Sequence, residues 1–197
     1  MIYYVTGNYG KYVSVKERFA QESIPIEFYE YDFKELNIND IGIISKDKVI
    51  QAYNILNCPC FVSDSGFYIE DYPDNPNYPG AFVKRSGISS DINTLLKAMQ
   101  NTNNRTCYFK DCITYYDGCE FHSFYGITKG TLAYEILGDD LKKAKSNLWK
   151  VFIPQNCSKT LAQMSNEERN NRNDGHPSAL EEFINWYSKI NTLKRIK

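Results

Sequence analysis

The spacing of apolar positions changes several times along the chain, and each change marks an expected element. Ile2 to Val5 is a short run of β-favouring residues, stopped by Thr6-Gly7-Asn8. From Lys11 onward, Tyr12, Val15, Phe19 and Ala20 recur at helical spacing. Ile26 to Phe33 alternates imperfectly and reads as a second strand. Ser45 then stands as the N-cap of a helix whose stripe is Val49, Ala52, Tyr53 and Leu56 and whose end is Asn57. Cys60-Phe61-Val62 is a buried-strand run that ends in Ser63-Asp64-Ser65-Gly66.

Phe67-Tyr68-Ile69 leads into a loop rich in Pro, Asn and Asp through Pro79-Gly80. Ser90 is placed to cap a helix with the stripe Ile92, Leu95, Leu96 and Met99. Thr106 to Tyr116 and Cys119 to Tyr125 flank Asp117-Gly118, the strongest hairpin signal in the chain. Thr131 to Leu137 is a further strand candidate, and Asp139 to Asn147 is polar, a short helix or a loop. Asn166 to Gly175 reads as an exposed, mobile loop. Ser178 and Glu181 then form a capping box ahead of Leu180, Phe183, Ile184 and Tyr187, and the tail from Leu193 is ambiguous. No internal repeat and no composition break divides the 197 residues, so one domain over 1–197 is expected.

Composition narrows the class. At 42 % hydrophobic residues the chain is globular, and a formal net charge of −1 argues against a broad grip on nucleic acid or anionic membrane. Any phosphate binding must therefore come from a local cluster. Met-Ile-Tyr-Tyr-Val has no basic region followed by a long apolar stretch, and no uninterrupted apolar segment is long enough to span a bilayer. The six cysteines show no paired ligand spacing, because Cys58-Pro59-Cys60 fits neither a redox pair nor a zinc knuckle. A cytoplasmic protein with reduced thiols is the expectation.

Two stretches carry candidate chemistry. Strand, Gly-containing turn and helix over Ile2 to Phe19 can offer backbone N–H groups and a helix N-terminus to phosphate, with the Lys11 ammonium in reach. The spacing Gly7 to Gly10 is too short for a Walker A loop, and Tyr12 stands where that loop has Ser or Thr. Ser, Asp and Gly are also ordinary turn residues. Asp64, delivered at a strand end, can hold a divalent cation or take a proton from water. Lys48 near a helix start is usually solvated; its small conflict with the helix dipole leaves room for a bound anion.

Four blocks then stand in a telling order: Thr6-Gly7-Asn8-Tyr9-Gly10-Lys11, Ser63-Asp64-Ser65-Gly66, Pro79-Gly80-Ala81-Phe82-Val83-Lys84 and Phe124-Tyr125-Gly126-Ile127-Thr128-Lys129-Gly130. Together they resemble the inosine triphosphate pyrophosphatase family, which hydrolyses ITP, dITP and XTP to the monophosphate and pyrophosphate with Mg²⁺. The resemblance implies an α/β fold: an elongated mixed β-sheet flanked by helices, in two lobes with a central nucleotide cleft, and a homodimer. It implies Thr6, Asn8 and Lys11 for the phosphates, with Ser65, Lys48 and Lys84 around them. Asp64 and Lys11 would be catalytic, and Asp64 and Glu35 would hold Mg²⁺. A carboxylate beside lysines and Mg²⁺ would orient water rather than carry a proton far.

The base side departs from the family. Its aromatic–Gly–aromatic–Asp–Pro run is here Asn147-Leu148-Trp149-Lys150-Val151, so Trp149 can stack on a purine but Lys150 replaces the acid. Its Ser-His-Arg is here Gly175-His176-Pro177: His176 remains and the arginine is absent, with Arg169 and Arg172 as candidate substitutes. Two functions follow. One is an active pyrophosphatase with an altered base pocket. The other is a weak or inactive relative that binds a nucleotide such as dITP as a sensor and regulates a partner protein.

Overall fold

The computed structural model describes residues 2–139, 146–172 and 175–195. Two compact units emerge: residues 1–64, 111–126 and 177–197 form unit 1, and residues 65–110 and 127–176 form unit 2.

In unit 1, β1 (Ile2–Val5) lies between two parallel neighbours, β2 (Ile26–Tyr29) and β3 (Cys60–Ile69). Helix α1 (Tyr9–Gln21) connects β1 to β2, and α2 (Ile41–Leu56) connects β2 to β3. The chain thus leaves β1 to one side and returns past it to the other. That reversal is a topological switch point, and open α/β sheets bind ligands outside the carboxyl ends of such strands. Strand periodicity then assigns the faces. Ile2, Tyr4 and Phe61 pack with Tyr12, Val15 and Phe19 of α1 and with Phe183, Ile184 and Tyr187 of α6 (Ala179–Arg195). Tyr3, Val5, Cys60 and Val62 turn instead to Val49 and Ala52 of α2. Phe61 is fully buried between Tyr4, Phe19 and Phe183, and truncating it to Ala should cost about 3–5 kcal/mol.

Unit 2 holds β4 (Tyr78–Gly80), α3 (Val83–Ser86), α4 (Ile92–Ala98), a 3₁₀ turn (Asn147–Lys150), β7 (Phe152–Pro154) and α5 (Asn166–Asn170). Its core gathers Phe67, Ile69, Leu95, Met99, Leu132 and Phe152. Arg105 lies within it, 4 % exposed, its guanidinium donating to the carbonyls of Leu132, Met99 and Ala133 at 2.7–2.8 Å. Three charge-assisted bonds offset the desolvation of that cation. Strands β5 (Thr106–Tyr116) and β6 (Phe121–Leu132) each contribute residues to both units. The seven strands form one mixed sheet in the order β2-β1-β3-β5-β6-β7, with β4 on β3. The α/β class is as expected.

Several boundaries differ from the sequence reading. Strand β3 does not end at Asp64 but continues to Ile69. Ser-Asp-Ser-Gly reads as a turn, yet Gly66 is a strand residue: a Cβ there would stand 2.8 Å from the Gly80 carbonyl oxygen and 2.7 Å from the Tyr68 ring. Glycine is needed for close approach, not for chain reversal. The N-cap of α2 is Asp40, whose Oδ1 accepts from the N–H groups of Gly42 and Ile43, so the helix starts a turn earlier than Ser45. Ser45 is buried and bonds Thr114 at 2.8 Å. Likewise Asp91, not Ser90, caps α4.

Strand β2 stops at Tyr29, short of Phe33. The Asp117-Gly118 signal does join β5 to β6: Gly118 adopts φ 98°, and Asp117 Oδ1 accepts from Cys119 and Glu120 N–H. Strand β6 then runs unbroken to Leu132, so no separate strand covers Thr131 to Leu137. Within the expected loop from Asn166, a Ser165–Glu168 capping box builds the short helix α5. The expected Ser178–Glu181 cap is present. Much of the polar stretch 139–147, and residues 196–197 of the tail, lie outside the described residues. All six cysteines are free thiols. Among the described residues no helix is long and apolar enough to cross a membrane.

Candidate active site

Strand parity sends Ser63 to the Tyr4 side of the sheet and Asp64 to the α2 side. Asp64 there meets Lys48, which the earlier start of α2 places in mid-helix rather than near its N-terminus. Lys48 Nζ lies 2.8 Å from Asp64 Oδ2 and 2.7 Å from Glu35 Oε1. The lysine side chain is 9 % exposed, Asp64 16 % and Glu35 36 %. Burial alone would pull the Lys48 pKa down, but the charge and hydrogen bond of Asp64, then those of Glu35, outweigh it and leave the pKa raised. A solvated lysine, the ordinary expectation at this position, is therefore not what the fold makes.

The candidate phosphate-loop residues stand at the carboxyl end of β1. Asn8 is the N-cap of α1, its Oδ1 accepting from the Lys11 N–H at 3.0 Å. Thr6, 7 % exposed, accepts from the Asn8 N–H at 3.1 Å through Oγ1. Lys11 is partly exposed in the first turn of the helix. The β1–β3 register, with Tyr4 opposite Phe61, extrapolates to put Gly7 level with Asp64. That register sets the loop and the acid toward the same end of the sheet.

Sequence reading gives Tyr4 no role beyond its strand. Its hydroxyl lies 2.5 Å from Ser63 Oγ. It therefore ties β1 to the residue before Asp64. Burial drives the Tyr4 pKa up to about 12. Nothing in the linear sequence marks this contact, because it depends on the parallel register of β1 and β3.

Four remaining candidates belong to unit 2. Ser65 follows Asp64 within β3, and Lys84 is exposed on α3. Trp149, partly buried in the 3₁₀ turn, has the Arg169 guanidinium 5.4 Å from its ring centroid. Arg169 Nη1 donates to the carbonyls of Leu161 and Met164, and Nη2 to Asn166 Oδ1 at 2.6 Å. His176 is exposed ahead of α6.

The donor set fits a hard divalent cation. Glu35 and Asp64 turn carboxylate oxygens toward one point, and among the described residues no group of three or more His, Cys, Asp or Glu is placed to hold a metal ion. Mg²⁺ is typically held by one or two carboxylates together with water and substrate phosphates rather than by an all-protein cage.

Fold and site together define an α/β protein with a strand–loop–helix at a topological switch point and a carboxylate pair bridged by Lys48. The chain belongs to the Ham1 family, which its residues 2–186 match. It is 29 % identical to the dITP/XTP pyrophosphatase of Saccharolobus solfataricus over 84 % of this chain and 83 % of that one. It is also 29 % identical to the dITP/XTP pyrophosphatase of Thermococcus kodakarensis, over 93 % and 95 % of the two chains. Among solved structures, the HAM1 protein of Coxiella burnetii superposes with a TM-score of 0.75 at 19 % identity, covering 96 % of this chain and all of that one.

Proposed function

We propose that this chain hydrolyses non-canonical purine nucleoside triphosphates of the dITP and XTP kind to the monophosphate and pyrophosphate, with Mg²⁺. The observation that carries this reading is the convergence of Glu35, Asp64 and Lys48 beside the Thr6–Lys11 loop. The relatives named as dITP/XTP pyrophosphatases support the substrate class.

In this reading the loop and the N-terminus of α1 receive the phosphates, whose charge also draws Lys11. Glu35 and Asp64 would hold the metal, which supplies charge neutralisation for the leaving pyrophosphate when bound. Asp64 orients a water for attack on the α-phosphorus and accepts its proton. The new bond joins water oxygen to the α-phosphorus, and the bond to the bridging oxygen of the β-phosphate breaks. Trp149 offers a purine a flat apolar face.

The test is paired turnover and calorimetric binding on the purified chain with Mg²⁺ and ITP, dITP, XTP, dGTP and dATP. Pyrophosphate release from dITP or XTP well above dGTP, lost in Asp64→Asn, is the expected result. Selective binding without release would overturn it and favour the sensor reading, to which the absent base-side arginine lends its support.

A further inference from the structure

Lys48 stands where a metal-holding pair would be expected to leave room. Its Nζ bridges Glu35 Oε1 and Asp64 Oδ2 at 2.7 and 2.8 Å, with the Phe33 ring centroid 5.8 Å away. A lysine on a surface usually buries its stem and keeps its ammonium in water. Here α2, the segment carrying Phe33 and Glu35, and β3 enclose the head group, and only 9 % of the side chain is exposed. An ammonium and Mg²⁺ seek the same carboxylate oxygens. Mg²⁺ binds an oxygen at about 2.1 Å, so the two cations exclude each other from the point between these acids.

We propose that Lys48 is an internal place-holder for the divalent cation, so that the site takes metal only together with a polyphosphate. The inference rests on reading Glu35 and Asp64 as the metal-holding pair. A free metal ion entering alone would displace the ammonium from both acceptors and leave it facing a dication at close range. A triphosphate changes the balance, because its oxygens offer Lys48 new acceptors as the metal replaces it. Metal and nucleotide binding are thereby coupled, and the coupling is reciprocal. The species the site selects is the metal–nucleotide complex, with free Mg²⁺ and free nucleotide both disfavoured.

Mn²⁺ is the probe, followed by its paramagnetic resonance signal on metal-free protein without nucleotide. The parent chain should bind it weakly. Lys48→Met should bind it at least about tenfold more tightly, as removal of a charge roughly 4 Å away implies. Lys48→Arg keeps the positive charge and should stay as weak as the parent, and Lys48→Met combined with Asp64→Asn should lose the gain. Equal Mn²⁺ affinity in the parent and Lys48→Met would overturn the proposal.

Should Lys48→Met fail to fold, Lys48→Gln takes its place: without nucleotide it should bind Mn²⁺ at least about tenfold more tightly than the parent, and equal affinity would sink the idea. The two readings fail separately. A chain that releases pyrophosphate yet binds Mn²⁺ indifferently to Lys48 loses this inference only. One that shows the Lys48-dependent gain without pyrophosphate release loses only the proposed function.

Discussion

In unit 1 a buried lysine answers to two carboxylates, whereas in unit 2 Arg169 spends its guanidinium on the backbone carbonyls of Leu161 and Met164 and on the ring of Trp149. The first arrangement is chemically open. Its partners are side chains that can exchange one cation for another, or give up the lysine to a phosphate. The second is closed, because carbonyls of the main chain are fixed by the fold and the cation that satisfies them is committed to structure. Arg169 is close enough to Trp149 to look like a replacement for the family's base-side arginine, but its hydrogen bonds make it a strut for the segment 161–169. The Lys48 cluster therefore retains adjustable charge, and the Trp149 region offers chiefly an aromatic face.

Breaking the open arrangement should have the largest effect. Asp64→Asn keeps the shape of the side chain while removing the base and the acceptor charge, and should lower pyrophosphate release from dITP by about 10²–10⁴-fold. Rates within a few-fold of the parent would take Asp64 out of the chemistry. Next comes the aromatic face. Trp149→Ala should raise KM for dITP by about 10–100-fold, in line with roughly 1–3 kcal/mol for a base stacked on an aromatic ring. An unchanged KM would leave Trp149 as packing alone.

Arg169→Ala sharpens the contrast from the other side. It should lower stability by about 1–3 kcal/mol, measured by denaturant unfolding, since it leaves the Leu161 and Met164 carbonyls short of a donor. The ratio of dITP to dGTP turnover should stay within about twofold of the parent, because a strut has no part in reading the base. A large shift in that ratio would return Arg169 to the base pocket.

The smallest effect at neutral pH belongs to Tyr4→Phe, which removes the hydroxyl bonded to Ser63 and should cost about 1 kcal/mol. Its pH dependence is more telling. Burial raises the folded-state pKa of Tyr4 from 10.0 to about 12. Above pH 10 the unfolded chain therefore loses this proton before the folded chain does, and stability falls as pH rises toward 12. Below pH 10 both states are protonated and the contribution is constant. Alkaline melts of Tyr4→Phe should lack this component of the decline, and parallel curves would show that Tyr4 does not supply it.

Much of the candidate site was legible in the residues. The strand–turn–helix of Ile2 to Phe19 is formed as read, with Asn8 capping α1 and Thr6 buried beside it. Asp64 was singled out for a partly mistaken reason. The strand it lies on does not end there, yet the acid still stands beyond the last paired residues of β1 because β3 outruns its shorter neighbour. The caps at Ser45 and Ser90 were misplaced by local rules that accept any Ser before an apolar stripe. Asp40 and Asp91 won because their carboxylates reach the first free N–H groups of α2 and α4.

Sequence by itself determined the α/β alternation, the family and the loop at the end of β1, since each is written in residues close together along the chain. It also determined which acids and lysines were available. Only tertiary structure decided how they are paired. Glu35, Lys48 and Asp64 come from a connection, a helix and a strand, and they meet because the 2-1-3 strand order brings α2 over the sheet face to which period-two geometry turns Asp64. The Tyr4–Ser63 contact and the commitment of Arg169 to backbone carbonyls have the same origin. They join residues remote in sequence or backbone groups invisible to it, and pairing of that kind is fixed by register and packing rather than by local propensity.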